Sequence, residues 1–233
     1  MSESLNGDRT YILNALRRTA RPGECVVEGS LEDTPGRSKI PDADLEDRLS
    51  TALQTLGAHF HRAHSEEEVR RILSTLIHNA DAHKIAVLSD AFLRTFHLDR
   101  LTEEAGVTVI SYSEEEISDS VKDVTPALKD AELGIFPVSR ALAQSGTMVL
   151  NGNAGVSRAI SLIPPIIVGI LDKKQIVADL GNVFSELIET GQVPSRPGDW
   201  MVCISGPSRT ADIEATLTTG IHGPGDTHLI VLG

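Results

Sequence analysis

The stretch WMVCISGPSRTADIEATLTTGIHGPGDTHLIVLG, residues 200–233, decides the fold that the sequence predicts. Residues 201–204 are apolar and stop at a Ser-Gly-Pro turn, as a buried parallel strand does. Hydroxyl and carboxylate side chains follow, and the apolar spacing after them predicts a helix that opens near Thr210. That helix ends at Gly220, and a second glycine-rich loop leads into a closing strand at residues 229–232. The order strand, helix, strand predicts an α/β crossover.

The loop GPSRT, residues 206–210, is the first candidate binding site. In open α/β sheets, ligands bind beyond the carboxyl ends of the strands, where this loop is expected. Its backbone amides and the guanidinium of Arg209 would surround a helix N-terminus, an arrangement that suits a carboxylate or a phosphate. The alternative is a tight turn in which Arg209 pairs with Asp212 at the surface. The motif leaves both interpretations open.

Composition limits the classes of partner. The chain of 233 residues carries 33 acidic and 21 basic side chains, a formal charge of −12 that repels nucleic-acid phosphates and anionic lipid. Cys25 and Cys203 have no metal-ligand or disulfide-framework spacing. The first ten residues lack a signal pattern, and the apolar run at residues 166–171 is too short to cross a membrane. We therefore expect a cytoplasmic protein that binds neither nucleic acid nor membranes.

Residues 1–41 are rich in proline and glycine towards their end, which predicts a partly flexible N-terminal arm. Residues 42–233 are predicted to form one α/β domain, since 233 residues suffice for a large core. Leucines and alanines line one helix face from Leu45 to a stop at Gly57. A short strand and a helix capped by Ser65 follow, and the alternation of strand and helix continues along the chain.

Histidines occur at alternate positions of that short strand. His59 and His61 would share a face, and His64 follows shortly after. Metal sites in proteins need fixed neighbours that hold the ligands, and the sequence offers no sign of them here. We interpret the three as surface histidines and predict no metal site.

A second cluster of small residues begins before residue 150. Residues 141–150 can be two strands folded at Gly146 or one bent strand. Thr147 beside this kink can offer its hydroxyl to a ligand, or can be a structural strand residue. A helix at residues 156–162 follows, with Arg158 in its first turn. Lys173 and Lys174 follow the next strand at its carboxyl end, where they can bind an anion or remain solvated; the sequence decides neither case.

Four blocks together resemble the lactate utilization protein C family, also called the LUD domain family. They are QSGTM at residues 144–148, NAGVSRAISLIPP at 153–165, ISGPSRTADIE at 204–214 and GIHGPG at 220–225. Their order and spacing agree with the family, and the resemblance extends from about residue 42 to the end. The standard nucleotide-binding, zinc-protease and hydrolase motifs are absent from the sequence.

The resemblance implies a layered α/β fold of the NagB/RpiA/CoA-transferase type, with a mostly parallel sheet flanked by helices. It also implies a part in the oxidation of L-lactate to pyruvate, beside iron–sulfur partner subunits. This chain has no cluster ligands of its own, so iron–sulfur clusters are expected only in those partners, and no cofactor is predicted here. The residues expected to bind a small anion, a carboxylate or a phosphate, are Gly146, Thr147, Asn153, Arg158, Gly206, Ser208, Arg209, Thr210, Asp212 and Gly223.

One departure from the family concerns catalysis. The family usually has a glutamate where this chain has Gln144, and an amide cannot act as a base or a nucleophile at neutral pH. His222 is then the best remaining acid or base, although it can equally stabilise its turn. A hypothesis of another class is a free-standing enzyme related to sugar-phosphate isomerases, CoA transferases or formyltetrahydrofolate cyclo-ligases, which fold analogy alone supports. We prefer the subunit hypothesis, because no complete catalytic set is visible.

Overall fold

The computed structural model of this chain describes residues 40–113, 128–152, 158–191, 199–211 and 217–233. The predicted N-terminal arm lies outside the described residues except for Ile40 and Pro41, and so do two predicted ligand-binding residues, Asn153 and Asp212. Within the described part of the chain, no helix is long and apolar enough to cross a membrane.

Helices and strands alternate along the chain. The α-helices are α1 Leu45–Thr55, α2 Glu66–Asn79, α3 Ala91–Arg94, α4 Leu101–Ala105 and α5 Leu180–Glu189. The strands are β1 His59–Ala63, β2 Lys84–Ser89, β3 Thr108–Ser113, β4 Leu133–Pro137, β5 Arg140–Leu142, β6 Thr147–Gly152, β7 Ile166–Asp172, β8 Ile176–Val177, β9 Trp200–Ile204, β10 Arg209–Ala211, β11 Leu217–Thr219 and β12 Asp226–Leu232. Short 3-10 helices span Asp42–Asp44, Leu98–Arg100, Arg158–Ser161 and Lys173–Gln175.

Six strands form the central sheet in the order β1-β12-β7-β4-β2-β3, and every pairing is parallel. The inner strands are buried on both faces, because β7 and β12 are nearly continuous runs of Ile, Val and Leu. The predicted α/β fold with a mostly parallel sheet flanked by helices is therefore confirmed.

A second sheet of four strands, in the order β8-β5-β6-β9, covers one face of the central sheet. Strands β5 and β6 are antiparallel and joined through Gly146, so the alternative of two strands folded at this glycine is correct. Gly169 of β7 lies under this sheet, and a Cβ there would be 2.7 Å from the Met148 sulfur. The missing side chain therefore lets the two sheets approach closely.

The core consists of layers on the two faces of the central sheet. On one face, α1 and the second sheet pack through residues that include Leu49, Leu53 and Met148. On the other face, α2 packs through Val69, Leu73 and Ile77, and α3 and α4 pack beside it. Ser65 caps α2 by accepting a hydrogen bond from the Glu68 amide, as its sequence pattern predicts.

Two expectations for the last stretch are wrong. The backbone at Arg209–Ala211 is a strand, paired antiparallel with Leu217–Thr219, and not the start of a helix near Thr210. Thr210 lies opposite Thr218, and β-branched residues favour this extended pairing over a helical turn. Strand β9 is not a buried parallel strand either, since it pairs antiparallel with β6 at the edge of the second sheet.

Candidate functional site

The central sheet has a topological switch point between β2 and β4. After β2 the next strand of this sheet along the chain is β3, on one side of β2, whereas after β4 it is β7, on the other side of β4, reached through β5 and β6 of the second sheet. Segments that follow these two adjacent strands therefore leave the carboxyl edge in opposite directions. In open α/β sheets a crevice forms at this place, and ligands bind there.

A cavity of about 350 Å³ lies at this switch point. Asp90, which directly follows β2, lines one part of it, and Ser139 and Arg140, which follow β4, line another. Asn151 from β6, Gln175 from the 3-10 helix Lys173–Gln175 and Trp200 from β9 complete its polar lining. We call it the switch-point cavity. Its volume lies within the range of small-molecule sites, and its polar groups come from five separate segments.

Arg140 lines both the switch-point cavity and a smaller cavity of about 60 Å³ beside Glu186, and neighbouring groups fix the orientation of its guanidinium. Its Nε donates to Glu186 Oε2 at 2.8 Å, and its Nη2 donates to the other carboxylate oxygen. Its Nη1 donates to the Ser139 carbonyl at 2.5 Å. The hydrogen bond from Arg140 lowers the pKa of Glu186. This effect is larger than the rise that burial causes, so the carboxylate stays charged at neutral pH. These bonds use three of the five guanidinium N–H groups, which leaves donors on Nη1 and Nη2 for a ligand.

Asn151 and Asp90 give the same cavity a donor and an acceptor. The Ser139 hydroxyl donates to Asn151 Oδ1, so the Asn151 amide nitrogen is the atom that can donate to a carboxylate. Asp90 Oδ1 accepts from the Leu93 amide at 2.7 Å and caps α3, which fixes the carboxylate at the cavity wall. The cavity can therefore hold an anionic group by Arg140 and Asn151 and a hydroxyl group by Asp90.

A larger cavity, of about 760 Å³, lies at the carboxyl ends of β1, β12 and β7. Lys173 and Lys174 line it, at the end of β7 where the sequence predicts them. Lys173 is paired, however, because its Nζ lies 2.7 Å from Glu46 Oε2. Asp42, Glu46, Glu66 and Asp172 also line this cavity, so its lining carries more acidic than basic groups and does not favour an anion.

Glu46 in this lining is a buried carboxylate that joins three segments. It lies on α1 and binds Arg62 of β1 as well as Lys173. Burial raises the pKa of Glu46, but the hydrogen bonds from Lys173 and Arg62 outweigh this effect and lower it below the ordinary value of 4.5. Because the folded pKa is the lower one, Glu46 stabilises the fold above pH 4.5, and this contribution is lost as the pH falls further.

We expect the substitution Glu46→Gln to lower the free energy of unfolding by about 2 kcal/mol at pH 7, because hydrogen bonds to a charged group are lost. The difference from the wild type should shrink as the pH falls below 4.5. Urea denaturation of both proteins at a series of pH values measures this difference in unfolding free energy. The control is Glu66→Gln, which changes an exposed carboxylate in the same cavity. If the difference in unfolding free energy between Glu46→Gln and the wild type did not change with pH, this role of Glu46 would be contradicted.

The structure brings most of the predicted site residues to one place around the end of α1, which we call the α1 corner. A Cβ on Gly146 would lie 2.8 Å from the Leu53 amide, and one on Gly206 would lie 3.0 Å from Leu56 Cβ. The Ser208 amide donates to the Pro224 carbonyl at 2.8 Å, which joins the two predicted loops. The corner holds Gly146, Thr147, Gly206, Ser208, Arg209, Thr210, His222 and Gly223.

Two polar side chains of the α1 corner bind the protein itself. The Thr147 hydroxyl is 2.7 Å from both Ser145 Oγ and Ser205 Oγ, and the residue is 5% exposed. Thr147 thus connects the start of β6 to the end of β9. Arg209 Nη2 donates to the Leu56 carbonyl at the end of α1, where a cation complements the helix dipole. Both contacts are of the kind that holds loops in place.

The remaining predicted residues differ in position. His222 is exposed, and Gly223 next to it packs on Ser208, where a Cβ would be 3.3 Å from Ser208 Cβ. Arg158 is exposed on the 3-10 helix Arg158–Ser161, which packs over Gly134 of β4. Gln144, at the position of the family glutamate, is exposed in the turn before Gly146.

The expected position of the GPSRT loop beyond the carboxyl ends of the strands is wrong for the central sheet. Arg209 reaches Leu56, just before β1 begins, and the Gly225 and Asp226 amides donate to Pro165, just before β7 begins. The α1 corner therefore lies at the amino edge of the sheet. The expectation was wrong because β9, which leads into the loop, belongs to the second sheet and runs antiparallel to β6.

Histidines from β1 and β12 meet at the same amino edge. His59 lies opposite His228 in the strand register, and their rings stack with centroids 4.7 Å apart. His61 Nε2 is 3.0 Å from His228 Nδ1. Burial lowers the pKa of His61 to about 4, helped by the neighbouring histidines, and burial also lowers the pKa of His228. Both of these rings are therefore neutral near pH 7.

Sequence reasoning missed the polar residues of the switch-point cavity. Asp90, Arg140, Asn151 and Trp200 are distant in sequence and form no motif. The available signal was general: Asp90 directly follows the apolar run Lys84–Ser89, and the carboxyl ends of parallel strands meet at one edge. The strand order needed to identify the switch point was not readable from the sequence.

Comparison with known proteins identifies the family. The sequence profile of the LUD domain matches residues 47–232. "Lactate utilization protein C" of Shouchella clausii is 29% identical over 220 residues, which cover 92% of this chain and 91% of that protein. The protein of the same name from Halalkalibacterium halodurans is 28% identical over 181 residues, 76% of each chain.

A solved structure supports the fold. The crystal structure of a DUF162 family protein from Deinococcus radiodurans matches with a TM-score of 0.53 at 18% sequence identity. The match covers 83% of this chain and 99% of that one. The resemblance seen in the four sequence blocks is thus confirmed by the match of the LUD profile to most of the chain, and the chain belongs to the LUD domain family.

Proposed function

We propose that this chain takes part in lactate utilisation in the cytoplasm and binds L-lactate while partner subunits with iron–sulfur clusters oxidise it to pyruvate. Relatives that cover most of its length are named lactate utilization protein C, which supports the pathway. The observation that carries the site is the switch-point cavity, whose polar groups match this ligand. Lactate has one carboxylate and one hydroxyl group on the adjacent carbon.

In this proposal the lactate carboxylate receives hydrogen bonds from Arg140 and Asn151, which both line the cavity and carry N–H donors. Asp90 accepts the hydrogen bond of the lactate hydroxyl. Glu186 keeps the guanidinium in one orientation, which reduces the entropy lost on binding. The negative charge of Asp90 also disfavours a second carboxylate, so the site favours a monocarboxylate over a dicarboxylate.

The oxidation of lactate to pyruvate removes two electrons and two protons. Asp90 can take the hydroxyl proton, and the Cα hydrogen leaves with the electron pair to a redox group of the partner subunits. The two cysteines, Cys25 and Cys203, are too few to hold an iron–sulfur cluster, which takes four protein ligands. In the proposal, electron transfer is assigned to the partner subunits, and this chain supplies the bound substrate.

The test has a genetic and a biochemical part. Deletion of the gene should abolish growth on L-lactate and leave growth on glucose unchanged, and a wild-type copy should restore it. The purified chain alone should show no lactate oxidation with an artificial electron acceptor. Normal growth of the deletion strain on lactate would contradict the proposal. Turnover by the isolated chain would instead support the free-standing enzyme.

A further inference from the structure

The histidine cluster at the amino edge contains the donor atoms of a metal site. His59 Nε2 lies 3.3 Å from Asp226 Oδ1, and His228 Nε2 lies 3.1 Å from Asp226 Oδ2. Ligand atoms of these three residues all lie within 4.8 Å of one another. Two atoms bound to one zinc ion at tetrahedral angles would lie about 3.3–3.4 Å apart. The two imidazole–carboxylate pairs are therefore already at nearly this separation, and the two imidazole nitrogens lie within 4.8 Å of each other.

Backbone pairing holds the three donors in place. His59 and His228 are direct partners in the register of β1 and β12, and Asp226 begins β12 two residues before His228. β12 is paired on both sides, with β1 and β7, so it cannot shift easily. A site on paired strands is more exact than a site on loops. Within the described chain, the amino edge thus presents a rigid set of two imidazoles and one carboxylate.

His61 supplies the neighbour that metal-bound histidines need. When His228 binds a metal through Nε2, its proton is on Nδ1 and is donated to His61 Nε2, 3.0 Å away. This bond fixes the ring and its tautomer. The sequence interpretation treated His59 and His61 as surface residues, because their partners lie 167 residues further along the chain.

The cluster is open on one side. His228 is almost fully buried, with its side chain 7% exposed, whereas the side chains of His59 and Asp226 are 57% and 41% exposed. An ion can therefore enter from solvent and keep a water molecule as its fourth ligand. The formal charge of −12 also attracts cations to the surface.

We propose that His59, Asp226 and His228 bind a divalent ion of the zinc type, such as Zn²⁺. His61 orients His228 in this site. Imidazole nitrogens favour zinc and its neighbours over magnesium, which prefers oxygen ligands only. The ion joins the edge strand β1 to β12. This site lies at the opposite edge of the sheet from the switch-point cavity and does not depend on the function proposed above.

Calorimetric titration with ZnCl₂ tests the proposal on protein without a polyhistidine tag, since such a tag binds the same ions. The chelator-treated wild type should bind one Zn²⁺ per chain with high affinity and should not bind Mg²⁺. His59→Gln and Asp226→Asn should weaken this binding by more than about 100-fold, and His61→Gln by about 10- to 100-fold. His83→Gln, at an exposed histidine outside the cluster, should bind like the wild type.

A second measurement is independent of the variants. Crystals of the wild type soaked in Zn²⁺ should show an anomalous scattering peak between His59 and His228, and Zn²⁺ should raise the melting temperature by several degrees. The proposal is wrong if the wild type binds no more Zn²⁺ than His59→Gln. It is equally wrong if the anomalous peak lies on other residues.

Discussion

Replacing Gly146 by alanine is expected to lower the free energy of unfolding by about 2–5 kcal/mol. Gly146 has a φ of +61°, a left-handed conformation that costs other residues about 1–2 kcal/mol. Its Cβ would also lie 2.8 Å from the Leu53 amide and 2.9 Å from the Ala52 carbonyl carbon, both backbone atoms of α1. The melting temperature should fall by about 5–15 °C, which scanning calorimetry measures.

Gly191 provides a matched control. Its φ is +66°, close to that of Gly146, but nothing lies within 4 Å of where its Cβ would be. Gly191→Ala should therefore cost only the conformational part, about 1–2 kcal/mol. Equal losses at the two glycines would mean that close packing on α1 contributes nothing. We expect the difference between them to measure how tightly the turn before β6 is held against the helix.

The second large effect is expected at the switch-point cavity. Asn151→Leu should weaken L-lactate binding by about 10- to 100-fold, because it removes a hydrogen bond to a charged group, worth about 1.5–3 kcal/mol. Trp200 lines the cavity and is the only tryptophan, so its fluorescence reports the occupancy directly. Asn79→Leu, at an exposed position of α2, is the matched control and should bind lactate like the wild type.

Asp90→Asn tests how the lactate hydroxyl is recognised, separately from the carboxylate. Asparagine preserves the cap of α3, since both side chains cap helices well, but it removes the strong acceptor for the lactate hydroxyl. Affinity for lactate should fall several-fold, whereas pyruvate, which has no hydroxyl, should bind no more weakly than before. An equal loss for both ligands would contradict the role of Asp90 as hydroxyl acceptor.

The local pattern of the sequence predicted those elements whose cause is local. The helix that begins near Leu45 and the Ser65 cap of α2 follow from propensities within a few residues, and for Gly146 the sequence left open two strands or one bent strand. The hairpin of β10 and β11 was missed because a short acidic stretch with helical spacing lies between two threonine-rich segments. The antiparallel pairing of Thr210 with Thr218 decides the conformation there, and a pattern within a few residues does not contain this pairing.

Both candidate sites depend on contacts across long sequence separations. The cavity needs the strand order, which places β4 beside β2, and the histidine cluster needs the register of β1 against β12. The four sequence blocks identified the family correctly, but seven of the site residues taken from them surround the end of α1, namely Gly146, Thr147, Gly206, Ser208, Arg209, Thr210 and Gly223. There Arg209 binds the Leu56 carbonyl and Thr147 binds two serine hydroxyls. Sequence motifs identified the family, and topology identified the cavity.

The central claim is that a small hydroxy acid binds at the switch point between β2 and β4. Diffraction from a crystal soaked in L-lactate tests it most directly. We expect density for lactate in the switch-point cavity, with its carboxylate at Arg140 and Asn151 and its hydroxyl at Asp90. Lactate bound instead at the α1 corner, beside Arg209 and His222, or an empty cavity at saturating lactate, would contradict it.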